Sequence, residues 1–257
     1  MTTTAPALGP AFEGANSFTE FETSVKSEFR YVWSDKVSQF LDVVRASCQR
    51  RATKIPAGHA FFRARLGVEG VEEIAVEGDK VIFDKVTPYG PEAMKPIPYW
   101  QGEGRANPRG IPSLYMATTP QTALAEVRPW IGARVTVARM EVGRELNIID
   151  CSKYRAPGAL AGFFTDPDKT PEDGIWYAID RAFATPVSKE DEAKDYIPTQ
   201  IIAELFKSAK YDGIQYKSLL SEDGYNIALF NLVDANARKC AAFHVDSISF
   251  GFQPEEA

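Results

Sequence analysis

The chain is short of the groups that build metal sites and disulfide frameworks. Its three cysteines, Cys48, Cys151 and Cys240, are odd in number and far apart, and no CxxC pair occurs. Neither a disulfide framework nor a thiolate zinc site fits that spacing. The two histidines, His59 and His244, stand outside any HExxH or HxH context, so no metal is expected. Positive charge is scarce as well, with 29 Lys and Arg against 35 Asp and Glu and a formal net charge of −6. Duplex nucleic acid and anionic membranes both favour a basic face, and neither is expected as a partner. No apolar run approaches the roughly 18 residues that a membrane-spanning helix needs. Residues 1–14 lack the basic and apolar regions of a secretory signal, and a cytoplasmic location is the expectation. The phosphate loop GxxxxGK[ST], the strand–GxGxxG–helix fingerprint and the GxSxG elbow are missing too, which sets their chemistries aside.

What is present is an ordinary globular composition, 44% hydrophobic and 25% charged, in a chain long enough for one full core. Residues 1–16 read as a disordered leader. Residues 17–55 read as a helical N-terminal extension, and 56–257 as the main domain. The clearer helix starts at the cap pair Ser34-Asp35 and carries Val37, Phe40, Leu41, Val44 and Cys48 on one stripe. Its other face holds Asp35, Lys36, Gln39, Arg50 and Arg51. The stripe needs a cover, which is the rest of the chain, a second copy or an inhibitory partner. From His59 to Leu66 the period changes to two, with Phe61, Arg63 and Arg65 on one face and Phe62, Ala64 and Leu66 on the other.

A turn-rich stretch, 88–112, follows and leads into a short strand at Ser113–Ala117. Thr119-Pro120 starts a helix expected to run over Gln121–Trp130. Strands are expected at Arg134–Val142, Leu146–Asp150, Gly213–Ser218, Asn226–Leu232 and Cys240–Phe250. Further helices are expected near Glu172–Phe183 and Thr199–Lys210. Strands and helices intermix without regular βαβ alternation, so the class is α+β.

The residues that carry chemistry form a constellation along the chain. Arg63 lies mid-strand, Arg105 in a Gly-rich loop, Tyr115 in the next strand, Glu126 in the helix after it and Ser218 at the end of a late strand. Each has a bland reading: a solvent-facing arginine, a core tyrosine, a polar helix face, a strand-end hydroxyl. Together they suit cleavage of NAD+. Arginines grip a pyrophosphate with forked donors, an aromatic ring stacks on the nicotinamide side, and a carboxylate stabilises the positive charge that develops on the ribose.

Four local strings sharpen this reading. They are Phe62-Arg-Ala-Arg65, Gly104-Arg-Ala-Asn-Pro-Arg-Gly-Ile-Pro-Ser-Leu-Tyr-Met-Ala117, Thr122-Ala-Leu-Ala-Glu-Val-Arg128, and Tyr211-Asp-Gly-Ile-Gln-Tyr-Lys-Ser218 followed by Asn226-Ile-Ala-Leu-Phe230. In that order, over roughly residues 59–235, they resemble the RES-domain family of bacterial proteins. The resemblance implies a fold similar to ADP-ribosyltransferases, with a mixed-sheet cleft flanked by helices. It also implies a toxin that destroys NAD+ by phosphorolysis or hydrolysis, paired with an Xre-type antitoxin.

By the matching motifs, Glu126, Arg63, Arg105 and Ser218 would be catalytic. Arg63, Arg105, Tyr115, Ser218 and Asn226 would bind NAD+, which is the substrate, so no cofactor is expected. Phosphate as co-substrate would need a further cation, with Arg65, Arg109 and Arg128 as candidates. Asn107 and Gln200 also match family-like positions. The alternatives are a protein mono-ADP-ribosyltransferase and a non-catalytic nucleotide- or partner-binding module, and a homo-oligomer stays open. The chain departs from compact family members in its helical extension and in a long insert, roughly residues 66–100, ahead of the Gly104-Arg105 loop.

Overall fold

A computed structural model describes residues 16–76, 81–97, 102–153, 170–185, 193–221 and 223–249. The leader read over residues 1–16 lies outside the described residues except for Asn16, which precedes the first helix. In chain order the elements are α1 (Ser17–Ser27), α2 (Asp35–Arg51), β1 (Ala52–Ile55), β2 (Ala60–Leu66), β3 (Gly70–Val76), β4 (Val81–Thr87), β5 (Leu114–Ala117), α3 (Pro120–Glu126), β6 (Arg134–Val142), β7 (Leu146–Asp150), α4 (Pro171–Ala184), α5 (Ile197–Ser208), β8 (Gly213–Lys217), β9 (Tyr225–Leu229) and β10 (Ala235–His244). The α+β reading stands: eight strands form one mixed sheet in the order β1-β7-β8-β9-β5-β2-β6-β10. Among the described strands, only β7 and β8 pair in parallel in it. The insert ahead of the Gly-rich loop holds a separate antiparallel hairpin, β3–β4.

Two apolar clusters sit on the two faces of the sheet, and strand alternation assigns residues to them. Ile149, Ile214 and Ala228 join α1, α2, α4 and α5 in one cluster. Their neighbours Ile148, Ile227 and Leu229 join Phe61, Met94, Leu114 and Met140 in the other. The stripe of α2 is therefore covered by the chain's own helices, with Phe40 stacked on Phe21 at 4.6 Å between ring centroids. Ser34 caps α2 by accepting from the Val37 amide at 3.3 Å, as its sequence suggests.

Three expectations need correction. Residues 52–55, counted with the helical extension, form β1 and pair antiparallel with β7, which ties the extension into the main sheet. Arg51, placed on the outer face of α2, turns inward, because α4 packs against it. Its guanidinium lies 5.3 Å from the Trp176 ring centre and pairs with Asp173 at 2.8 Å. The last strand starts five residues earlier than expected, at Ala235, and ends at His244. Charged residues interrupt its apolar alternation, and pairing with β6 sets its extent.

Candidate active site

The site begins with sheet register. Directly opposed residues share a face, and Phe62 on β2, Ala117 on β5, Asn226 on β9 and Tyr216 on β8 stand opposite one another in a single row. All four line a cleft of about 320 Å³, together with Arg63, Arg105, Tyr115, Glu126 and Tyr196. Strands β2 and β5 pair only at Phe62↔Ala117 and part after it. Arg63, whose alternation points it to the opposite face from Phe62, reaches the cleft through that parting. Its Nη1 donates to the Tyr115 carbonyl at 2.7 Å, while its Nε is buried with no hydrogen-bond partner among the described residues. Burial, with the charge of Arg65 adding to it, pulls its pKa down to about 10, so the group stays charged at neutral pH. A buried guanidinium N–H without an acceptor is costly.

Helix α3 delivers the carboxylate. Thr119 caps it by accepting from the Thr122 amide at 3.0 Å, and Pro120 opens it. The helix was expected to reach Trp130 but stops at Glu126. Arg128 takes a φ of 45°, and a residue ahead of proline is poorly suited to helix. Glu126 is thus the last helical residue, turned over the sheet. Its Oε1 accepts from Ser218 Oγ and from Asn226 Nδ2, both at 2.7 Å. Its Oε2 lies 3.8 Å from Arg105 Nη1, near enough to attract it and too far for a hydrogen bond. The turn after β8 packs close beneath α3, where a Cβ on Gly224 would fall 1.8 Å from Thr122 Oγ1. No side chain fits there.

The turn that carries Arg105 leans on Tyr115, whose hydroxyl accepts the Ala106 N–H at 2.9 Å and donates to Asn107 Oδ1 at 2.7 Å. Burial pushes the phenol pKa well up, so it remains a neutral donor. A Cβ on Gly104 would meet that hydroxyl at 2.7 Å, which accounts for glycine at this point. The structure therefore gathers Arg63, Arg105, Tyr115, Glu126 and Asn226 in one cleft wall. Ser218 is not in the wall and reaches it only through Glu126. Phe62, Tyr196 and Tyr216 also line the cleft, yet they were not singled out in the sequence. Tyr216 lies two residues before Ser218, on the same face of an alternating strand, and that was the available signal. Burial raises its pKa to about 12, and the nearby Arg105 charge opposes that rise. Among the described residues, no three His, Cys, Asp or Glu side chains gather as a metal site would require. No described helix is long and apolar enough to cross a membrane.

Residues 85–252 match the RES domain. That span begins later and ends later than the stretch of resemblance read along the chain. It contains Arg105, Tyr115, Glu126, Ser218 and Asn226, and it leaves Arg63 outside. Among solved structures, a chain of the M. tuberculosis MbcT–MbcA toxin–antitoxin complex is similar at 13% identity, covering 78% of this chain and 92% of that chain with a TM-score of 0.38. No curated protein matches.

Proposed function

The chain belongs to the RES-domain family, and from that premise we propose that its cleft binds NAD+ and cleaves the nicotinamide–ribose bond. The observation that carries this reading is the state of Glu126. One carboxylate oxygen is fixed by two neutral donors, and the other faces the cleft beside Arg105. A preorganised carboxylate of this kind is worth most where positive charge develops. When the bond between ribose C1″ and the nicotinamide nitrogen breaks, its electron pair leaves with neutral nicotinamide and the ribose becomes oxocarbenium-like. An acceptor oxygen then bonds to C1″. With inorganic phosphate the product is ADP-ribose 1″-phosphate; with water it is ADP-ribose and a proton.

The rest of the cleft suits the same ligand. Arg63 and Arg105, both in the cleft wall, offer forked donors to a pyrophosphate. The rings of Phe62, Tyr115, Tyr196 and Tyr216 offer π faces to the cationic nicotinamide. The same reading makes the chain a toxin restrained by an Xre-type antitoxin. The decisive experiment incubates purified protein with NAD+, with and without phosphate, and identifies products by mass. Free nicotinamide is the expected product. A phosphorylated ADP-ribose formed only with phosphate identifies phosphorolysis, ADP-ribose alone identifies hydrolysis, and a modified protein identifies ADP-ribosyl transfer. Intact NAD+ under all conditions overturns the proposal.

A further inference from the structure

The turn that carries Arg105 is secured from outside the cleft. Gly104 N donates to Asn107 O at 2.9 Å, and Asn107 N donates back to Gly104 O at 3.3 Å. Arg105 and Ala106 are thus the tip of a tight two-residue turn. The same two carbonyls also accept from one side chain: Gln200 Nε2 donates to Gly104 O and to Asn107 O, each at 3.1 Å. A primary amide has two N–H groups, and this one commits both to the turn. Gln200 is 8% exposed and is absent from the cleft wall. It sits in the first turn of α5, which is anchored by the buried Ile201, Ile202, Leu205 and Phe206. A side chain that cannot touch a ligand in the cleft therefore sets the place of one that can.

We infer that Gln200 is a positioning residue for the reaction, holding the Arg105 guanidinium opposite Glu126 through the Gly104–Asn107 turn. The inference rests on the reading of the cleft as a site of NAD+ cleavage. Arg105 meets Glu126 Oε2 at 3.8 Å and shares the cleft wall with Tyr216, so a swing of the turn disturbs its place against both. Displacements of about 1 Å in such a group cost on the order of a hundredfold in rate. Methionine at position 200 keeps the length of the side chain and removes both donors. Glutamate keeps the shape and, when ionised, also offers no donor.

The test places Gln200→Met in the wild-type and in the Arg105→Ala background. It measures kcat and KM for NAD+ in each, with amide exchange of Ala106 and Asn107 followed by NMR. In the wild-type background kcat/KM should fall about tenfold to a hundredfold, chiefly through KM. In the Arg105→Ala background the same change should cost less than about twofold, because the residue it acts through is gone. Exchange at Asn107 should accelerate about tenfold as the turn opens. Equal losses in both backgrounds overturn the inference, and so does unchanged exchange. If wild-type protein leaves NAD+ intact, the reading of the cleft fails. The exchange rates then still decide whether Gln200 holds the turn. Gln200→Glu repeats the comparison if the methionine variant does not fold.

Discussion

Two arginine–carboxylate groups stand at opposite ends of β8, and they are completed differently. Ahead of the strand, Arg144 donates Nε to Asp234 Oδ1 at 3.0 Å and Nη2 to Asp234 Oδ2 at 2.9 Å. The same Nη2 donates to Asp212 Oδ1 at 2.7 Å, and Asp212 Oδ2 accepts the Asn147 N–H at 2.7 Å. Every carboxylate oxygen there is used, and three loops are tied together. Past the other end of the strand, Glu126 gives one oxygen to Ser218 and Asn226, while its second oxygen and Arg105 stop short of a hydrogen bond. A closed group of charges serves the fold. The incomplete one, walled by aromatic rings, leaves a carboxylate oxygen and a guanidinium short of a bond at the cleft.

The largest effect is expected where the incomplete group loses its charge. In Glu126→Gln the amide oxygen still accepts from Ser218 and Asn226, so the fold should persist. NAD+ turnover should fall by roughly a hundredfold to a thousandfold, about 3–4 kcal/mol. A loss under about fivefold, with the melting temperature unchanged, would remove Glu126 from the chemistry.

Next come the arginines of the cleft. Arg63→Ala and Arg105→Ala should each raise KM for NAD+ about tenfold or more, the order of a lost hydrogen bond to a charged group. Lysine should restore little at either position, lacking the planar fork. Titration of the variants with NAD+ checks this, and wild-type affinity in both would count against the clamp.

The closed group should respond in the opposite manner. Arg144→Ala should lower stability by about 1–2 kcal/mol, discounted because Arg144 is half exposed, and leave kcat and KM as they were. Chemical denaturation and steady-state kinetics on one preparation separate the two effects. A kinetic change without a loss of stability would erase the distinction between the groups.

The smallest effect is in pH. Burial pushes the Asp212 pKa up, but the Arg144 hydrogen bond, the Asn147 N–H and the Arg144 charge outweigh it, leaving the carboxyl below its usual range. A depressed folded-state pKa supplies stability that is complete above the unfolded value, about 4. That stability is lost as pH falls through the folded value. Melting temperature should therefore decline below about pH 4, and Arg144→Ala should flatten that limb. An unaltered slope would assign acid sensitivity to other groups.

The legible parts of the chain are those where one local rule acts without competition. Strands β6 and β7 have the bounds read from the sequence, Arg134–Val142 and Leu146–Asp150, because each is a short apolar-rich run and the Gly143-Arg144 turn separates them. Helix α3 is legible at its start, where Thr119 and Pro120 act locally, and not at its end, where Arg128 adopts a left-handed conformation. Strand β1 follows α2 with no intervening turn residue. Its four residues are a strand only because β7 is there to pair with them. Arg51 reads as surface until Trp176 and Asp173 arrive from more than a hundred residues away.

The candidate site divides along the same line. The sequence alone determined which residue types were available: a capped helix carrying Glu126, two arginines, a tyrosine in a short strand, and Ser218 and Asn226 flanking a turn. Capping, alternation and turn chemistry act over a few residues, so they can be read from a few residues. Tertiary structure alone decided their relations. It set Phe62, Ala117, Asn226 and Tyr216 in one row across four strands, sent Arg63 through the parting of β2 and β5, and placed Ser218 behind Glu126 instead of in the cleft wall. It also gave Gln200 of α5 the hold on the Arg105 turn, 93 residues from Asn107 in the chain. Contacts of that span depend on strand register and helix packing, which are satisfied only when the whole sheet has formed.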